Sequence, residues 1–298
     1  AKQSERFEAY DAARDGLIAA GRLYPCYETG AELELMRKTA SIQGKPFIST
    51  RASYPLSEAD EAAFKAEGRS PHWRFALTPG EIRWDDLARG DTSFEAENLS
   101  DPVLIRGDGS YLYTLCSVLD DIDLGMTDIV CGGAPASLTA THIQLFEALA
   151  AMKGLSDFSL PRFAHMPLVT GADGSKLSKS NGALSIRDLR EDGGLEPLTI
   201  VTFLSRLGTP DGPQPVSAIT ELAGSFDIGR FGRSSPRMDP DELVPLNGKI
   251  VRQLPYAAVE GRFEGLNEIR WAVIQPNLER LGDVADWLRL IEGPVTPV

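Results

Sequence analysis

The chain has 298 residues, enough for two or three units each with a core of its own, and its 42% hydrophobic and 24% charged content is that of a soluble globular protein. No run of about 18 apolar residues and no basic-apolar start is present, and the three cysteines, Cys26, Cys116 and Cys131, are widely spaced; together these predict neither a span nor export, free thiols in a reducing cytoplasm and no zinc cluster. A formal charge of −13 argues against indiscriminate nucleic-acid binding but leaves room for a local basic groove that takes one structured RNA.

From Ser4 to Gly21 the apolar residues Phe7, Tyr10, Ala13, Leu17 and Ile18 recur at helical spacing, with Ser4 as a candidate cap and Gly21 as a stop. With no strand before this helix, the chain is expected to begin in mid-domain. Residues 22 to about 100 read as a small α+β insertion. Ser57 with Asp60 predicts a capped helix through Phe64 that ends near Gly68, and His72–Leu77 and Glu81–Trp84 read as strands around a Thr-Pro-Gly turn. Asp85-Asp86 reads as a first-turn helix pair. Arg69, Arg74, Arg83 and Arg89 are either an RNA-facing set or scattered surface charge. His72 reads as a surface residue beside Trp73.

A second core begins at Pro102-Val-Leu-Ile-Arg, followed by a turn at Gly107-Asp-Gly and a segment Tyr111–Leu119. Asp120, Asp121 and Asp123 could hold Mg²⁺, but a solvated or helix-capping acidic turn is the simpler reading. Thr127–Cys131 is a short apolar strand, Thr139 to Met152 an amphipathic helix closed by Gly154, and Phe163–Thr170 a further strand in which His165 is structural. Cys116 and Cys131 read as small buried hydrophobes in strands. Strands alternating with helices predict a parallel α/β sheet, whose ligands sit at the carboxyl ends of the strands. Beyond about Leu184 the pattern turns helical, with runs at Leu195–Leu207, Ile219–Ala223, Asp241–Leu254 and Glu268–Ile291.

The last strand runs into Lys176-Leu-Ser-Lys-Ser, behind a flexible Asp-Gly-Ser. Two lysines three apart, interleaved with hydroxyls, form a cationic loop suited to the charge that develops on phosphates during adenylyl transfer. Lysine fits as a point charge on a long stem. An ordinary solvated loop has the same local sequence, so context decides.

That context is a series of strings in order: Gln3-Ser-Glu-Arg, Leu23-Tyr-Pro-Cys-Tyr-Glu-Thr, Pro71-His-Trp-Arg-Phe, Trp84-Asp-Asp-Leu-Ala-Arg-Gly, Asp101-Pro-Val-Leu-Ile-Arg, Val118-Leu-Asp-Asp-Ile-Asp-Leu-Gly-Met-Thr, Phe163-Ala-His-Met-Pro-Leu and Lys176-Leu-Ser-Lys-Ser. Over nearly the whole chain they resemble bacterial glutamyl-tRNA synthetase, a class I aminoacyl-tRNA synthetase. The resemblance implies an α/β fold: part of a Rossmann core at 1–21, an α+β insertion that binds the acceptor arm at 22–100, the second half of the core at 101–183, and a mostly helical stem-contact domain at 184–298. It implies ATP with Mg²⁺, tRNA and glutamate as reactants in the cytoplasm. Lys179 matches the lysine that steadies the ATP phosphates, with Lys176, Ser178 and Ser180 as loop partners. Leu168 and Val169 match the strand end against adenine, and Tyr113 and Ser117 match a wall of the amino-acid pocket. Without the resemblance, Tyr113 reads as a half-buried strand residue.

The departures are specific. The family's His-Ile-Gly-His signature is absent; the histidines are His72, His142 and His165. Where the family has Val-Ile-Arg-Gly-Glu-Asp-His, this chain has Ile129-Val-Cys131-Gly-Gly133-Ala134-Pro135. Cys131 stands at the place of an arginine associated with amino-acid recognition, and a thiol cannot supply a bidentate, permanently charged clamp. Glu28 takes the second position of the family's occasional Cys-x-Cys zinc pair, so no zinc is implied. Three readings stay open: a glutamyl-tRNA synthetase, a paralog that has lost glutamate activation and binds tRNA, nucleotide or a protein partner, or an adenylating enzyme with another substrate.

Overall fold

The computed structural model describes residues 2–51, 56–177 and 185–293. They form two compact units, one ending at His165 and the other starting at Met166. Within the first, Gln3–Glu5 is a 3₁₀ turn, and α1 (Phe7–Ala19) starts after Arg6 with no side-chain cap, so Ser4 lies in the preceding turn and does not cap it. Tyr10, Ala13 and Leu17 face the core, and Gly21 ends the run at φ +66°, a conformation glycine adopts without cost.

Next come β1 (Leu23–Cys26), α2 (Gly30–Ile42) and α3 (Glu58–Ala66). The Ser57–Asp60 capping box forms as expected, and a second one joins Thr29 to Glu32. The chain continues through β2 (His72–Phe75), β3 (Glu81–Asp86), β4 (Gly90–Glu95) and β5 (Val103–Ile105). Asp85 and Asp86 therefore end a strand; they do not open a helix. Strict alternation in β3 turns Ile82, Trp84 and Asp86 inward. The segment after Gly107 is helical: α4 spans Tyr113–Asp123, which places Cys116 on a helix and not in a strand. The unit closes with β6 (Asp128–Gly132), α5 (Ala136–Met152) and β7 (Arg162–Met166).

Two sheets result. One is ordered β1-β2-β5 and is antiparallel; the other is ordered β4-β3-β7-β6. In the latter β3 runs parallel to β7 but antiparallel to β4, so the layer is mixed where a parallel one was expected. The cause is the connection: three residues separate β3 from β4 and permit only a hairpin, whereas α4 and α5 lie between β3 and β7. One core unites α1, both sheets, α4 and α5, with Tyr10, Phe75, Leu104, Leu115, Phe146 and Phe163 almost fully buried.

The second unit contains β8 (Thr170–Gly171), α6 (Ile186–Glu191), α7 (Pro197–Leu204), α8 (Ile219–Ser225) and β9 (Arg237–Met238), the last parallel to β8. It ends with α9 (Leu243–Val251), α10 (Glu268–Ile274) and α11 (Val284–Glu292). The expected run Glu268–Ile291 is thus two helices. Pro276 lacks the N–H that would continue α10, and 3₁₀ turns at Gln275–Asn277 and Leu281–Asp283 carry the chain across. Phe203, Leu243, Ile250, Trp271, Ile274 and Val284 form the core.

A fully buried polar side chain ties this unit together. Asn247 Oδ1 accepts from Glu196 N and from Thr199 Oγ1, while its Nδ2 donates to Glu279 O at 2.7 Å. Asn247→Ala is expected to destabilise this unit by about 2–4 kcal/mol, because each buried group left unpaired costs roughly 1–3 kcal/mol and the losses overlap. Chemical denaturation followed by circular dichroism measures it.

Candidate active site

The residues matched to the amino-acid pocket lie on α4 and β6. Tyr113 is the first residue of α4 and 68% exposed, so it is neither in a strand nor half-buried. Ser117 is half-buried one turn on, and Asp121 follows after another turn; spacing of four places all three on one face of the helix. Cys131 is half-buried on β6. Burial pushes its thiol above the ordinary range, and the carboxylates of Asp86 and Asp121 add to the effect. Asp121 is itself raised by burial and by Asp120. The neighbourhood of Cys131 is therefore negative and poorly hydrated, the reverse of what an arginine would make it. Beyond it Gly133 turns at φ +68°, and Pro135 stands at the start of α5 with no side-chain cap.

Asp120 and Asp123 are neither solvated nor arranged for Mg²⁺. Arg6 Nε bonds Asp120 at 2.6 Å, Arg6 Nη2 bonds Asp123 at 2.5 Å, Tyr10 donates to Asp120, and Lys153 pairs with Asp123 at 2.8 Å. This network fastens α1 to α4 and the end of α5.

His165 is structural, as its strand position suggests. Its Nδ1 pairs with Asp86 Oδ2 and its Nε2 meets Thr139 Oγ1 at 2.9 Å, with both ring and carboxylate at most 2% exposed. A carboxylate only accepts, so Nδ1 carries the proton; a neutral ring then accepts from Thr139 through Nε2. The Asp-His-hydroxyl order looks like a hydrolytic triad, but its burial denies it a substrate. Burial alone would raise Asp86; bonds from the His165 ring and from the backbone N–H groups of His165, Arg89 and Ala88 more than offset that and hold it below its ordinary value. Sequence spacing gave no sign of this pair, whose members are 79 residues apart.

In the second unit, Leu168 and Val169 precede β8, with Leu168 exposed and Val169 half-buried. A tight turn follows: Gly171 N donates to Ser175 O, Gly174 takes φ +81°, and Asp173 accepts from Ser175 N. Lys176 then bridges back to Thr170 in antiparallel fashion and is exposed. Ser178, Lys179 and Ser180 lie outside the described residues. Thus Tyr113, Ser117 and Cys131 belong to the first unit, and Leu168, Val169 and Lys176 to the second.

The insertion's arginines are mostly spent on internal partners. Arg69 pairs with Glu32 and Glu67, Arg83 with Asp91, and Arg89 Nε donates to His165 O. Arg74 is buried and donates to Asp101 O at 2.6 Å, so it does not face a ligand in solvent. A cleft of about 850 Å³ opens over β1 and α3. Its charged lining is Arg51 against Glu61, Glu97 and Asp101, which disfavours a phosphodiester. Tyr113, Ser117 and Cys131 do not line it.

His72 is not a surface residue. Its side chain is 15% exposed, and burial lowers its pKa to about 4. It sits directly opposite Cys26 in the β1–β2 register, with Glu28 Oε2 at 3.8 Å from its Nε2. The sequence pattern of Cys26 and Glu28 could not show this third residue, because the pairing of β1 with β2 brings it in.

Comparison with known proteins places this geometry. The catalytic-domain model of class I tRNA synthetases for E and Q matches residues 1–243. Glutamate–tRNA ligase 1 of Maricaulis maris is 45% identical over the whole chain, and glutamate–tRNA ligase 2 of Methylorubrum populi likewise, in each case over 66% of the relative. The chain therefore spans just under two thirds of the length of these relatives. The crystal structure of glutamate-tRNA synthetase from Elizabethkingia anophelis matches with a TM-score of 0.73 over 95% of this chain and 64% of that one; at 21% identity this speaks for the fold. A fold with mixed sheets, interposed helices and a helical second unit, joined to these identities, leaves one assignment: the chain belongs to the class I tRNA synthetase family for glutamate and glutamine, as a glutamyl-tRNA synthetase-like member.

Proposed function

We propose that this chain retains the ATP-handling part of a cytoplasmic glutamate–tRNA ligase and is impaired in selecting glutamate. In the family reaction an oxygen of the glutamate α-carboxylate attacks the α-phosphorus of ATP and expels pyrophosphate. A hydroxyl of the 3′-terminal adenosine of tRNA then attacks the acyl carbon, and AMP leaves. Lys176, Ser178, Lys179 and Ser180 are assigned to the phosphates, which carry Mg²⁺ with them, Leu168 and Val169 to adenine, and Tyr113 and Ser117 to the amino acid. Residues 22–100 are assigned to the acceptor arm of tRNA and residues 184–298 to its stem.

The observation that carries the impairment is the surroundings of Cys131. Where a guanidinium would clamp a carboxylate, a half-buried thiol has Asp86 and Asp121 as its charged neighbours. An anionic substrate group would enter a negative field without a counter-charge. ATP–pyrophosphate exchange tests the reading: exchange is expected to be undetectable with glutamate, and robust exchange would refute the impairment. Exchange with a different amino acid would instead identify an altered substrate. In parallel, ATP with Mg²⁺ is expected to raise the melting temperature, and Lys179→Ala to remove that rise. Equal shifts in both proteins would reject the phosphate assignment.

A further inference from the structure

Three chemically different metal ligands meet between β1 and β2. The thiol of Cys26, a carboxylate oxygen of Glu28 and a ring nitrogen of His72 all lie within 4.8 Å of one another. Cys26 is fully buried, and the facing atoms Glu28 Oε2 and His72 Nε2 are both buried without a hydrogen-bond partner. Buried polar atoms normally have partners, and two orphans aimed at each other beside a thiol are a place where something binds. At 3.8 Å they are too far apart to satisfy one another directly.

We propose that Cys26 Sγ, Glu28 and His72 Nε2 bind one zinc-class divalent ion, with solvent completing a tetrahedral shell. Sulfur with imidazole nitrogen selects zinc or cobalt over magnesium or calcium, which prefer oxygen alone. Ligand bonds of about 2.0–2.3 Å set tetrahedral ligands roughly 3.4–3.6 Å apart. The Glu28–His72 separation is already close to that, and the 4.8 Å limit needs only side-chain rotation. Charge also closes: thiolate and carboxylate together balance the ion's two positive charges. As the metal–sulfur bond forms, the thiol releases its proton to solvent. The partly exposed side chains of Glu28 and His72 give the ion a way in. Cys26 and His72 are directly opposed in register, so the ion clips β1 to β2. Its ligand set differs from the Cys-x-Cys pair of some relatives, with Glu28 replacing one sulfur and the neighbouring strand supplying nitrogen.

The test is a Co²⁺ titration of the metal-stripped full chain, followed by optical absorption. A sulfur-to-cobalt charge-transfer band and tetrahedral visible bands are expected to saturate at one equivalent. Cys26→Ser is expected to remove the charge-transfer band, while Cys116→Ser and Cys131→Ser retain it. His72→Ala is expected to weaken binding by more than about 100-fold, beyond the loss typical of an outer-shell partner. Zn²⁺ is expected to raise the melting temperature of the parent chain but not of Glu28→Gln, which keeps the side-chain shape. Circular dichroism confirms that each variant is folded. No band in the folded parent, or a band that survives Cys26→Ser, would overturn the proposal.

Discussion

Asp86→Ala is expected to be among the most damaging single changes in the first unit, costing about 3–5 kcal/mol, the range for removing one member of a buried ion pair. Asp86 is 1% exposed and collects five bonds: from the His165 ring, the backbone N–H groups of His165, Ala88 and Arg89, and Trp84 Nε1 at 3.3 Å. These bonds fix the turn after β3, the edge of β7 and, through His165 Nε2, Thr139 on α5. Truncation leaves the donors buried without an acceptor. Against a total stability of roughly 5–15 kcal/mol, such a loss is a large fraction. Asp86→Asn keeps the volume and one acceptor and is expected to cost less. Thermal melts followed by circular dichroism decide it; a change below about 1 kcal/mol for Asp86→Ala would show that the bonds carry little.

The same residue makes stability depend on pH in a definite direction. Its folded pKa lies below the ordinary value of 3.8. The contribution is therefore complete above about pH 4, and it is lost as pH falls from there through the depressed folded value. Acid unfolding of the parent is expected to move toward higher stability at low pH, relative to neutral pH, in Asp86→Asn, which has no proton to take up.

What the sequence reveals divides by range. The Ser57–Asp60 box, the glycine stop after α1 and the alternation in β3 are local patterns, and all three appear in the structure. The segment 113–123 mixes β-formers with aspartates, and only its contacts with α1 and α5 show it as a helix whose acidic end is an ion-pair anchor. β4, Gly-Asp-Thr-Ser-Phe-Glu, is too polar to announce itself; it is a strand because β3 lies beside it. Asp86 with His165, and Cys26 with His72, are joined by strand pairing across long stretches of chain. Residue identity suggested what each could do, and only topology brought the partners together. For the catalytic loop the order is reversed: the motif at Lys176–Ser180 is legible in the sequence, while Ser178, Lys179 and Ser180 lie outside the described residues.

Cys131→Arg is expected to recover glutamate-dependent signal, and it probes the pocket most directly. The loss of a buried charge-paired contact with a carboxylate costs about 2–5 kcal/mol, which is roughly 30- to 5000-fold in affinity. Such a factor moves a useful substrate affinity out of reach. In the parent chain the field at this position is set by Asp86 and Asp121. A guanidinium there would neutralise Asp121, whose carboxyl is raised by burial and by Asp120, and still present a second N–H edge to a substrate. The measurable consequences are a lower pKa for Asp121 by NMR titration and saturable glutamate binding by calorimetry in the presence of ATP. Asp121 responding while glutamate stays unbound would show that Gly133, Ala134 and Pro135 also limit the pocket. If neither changes in a folded variant, the α4–β6 wall is not the amino-acid site, and the assignment of Tyr113 and Ser117 falls with it.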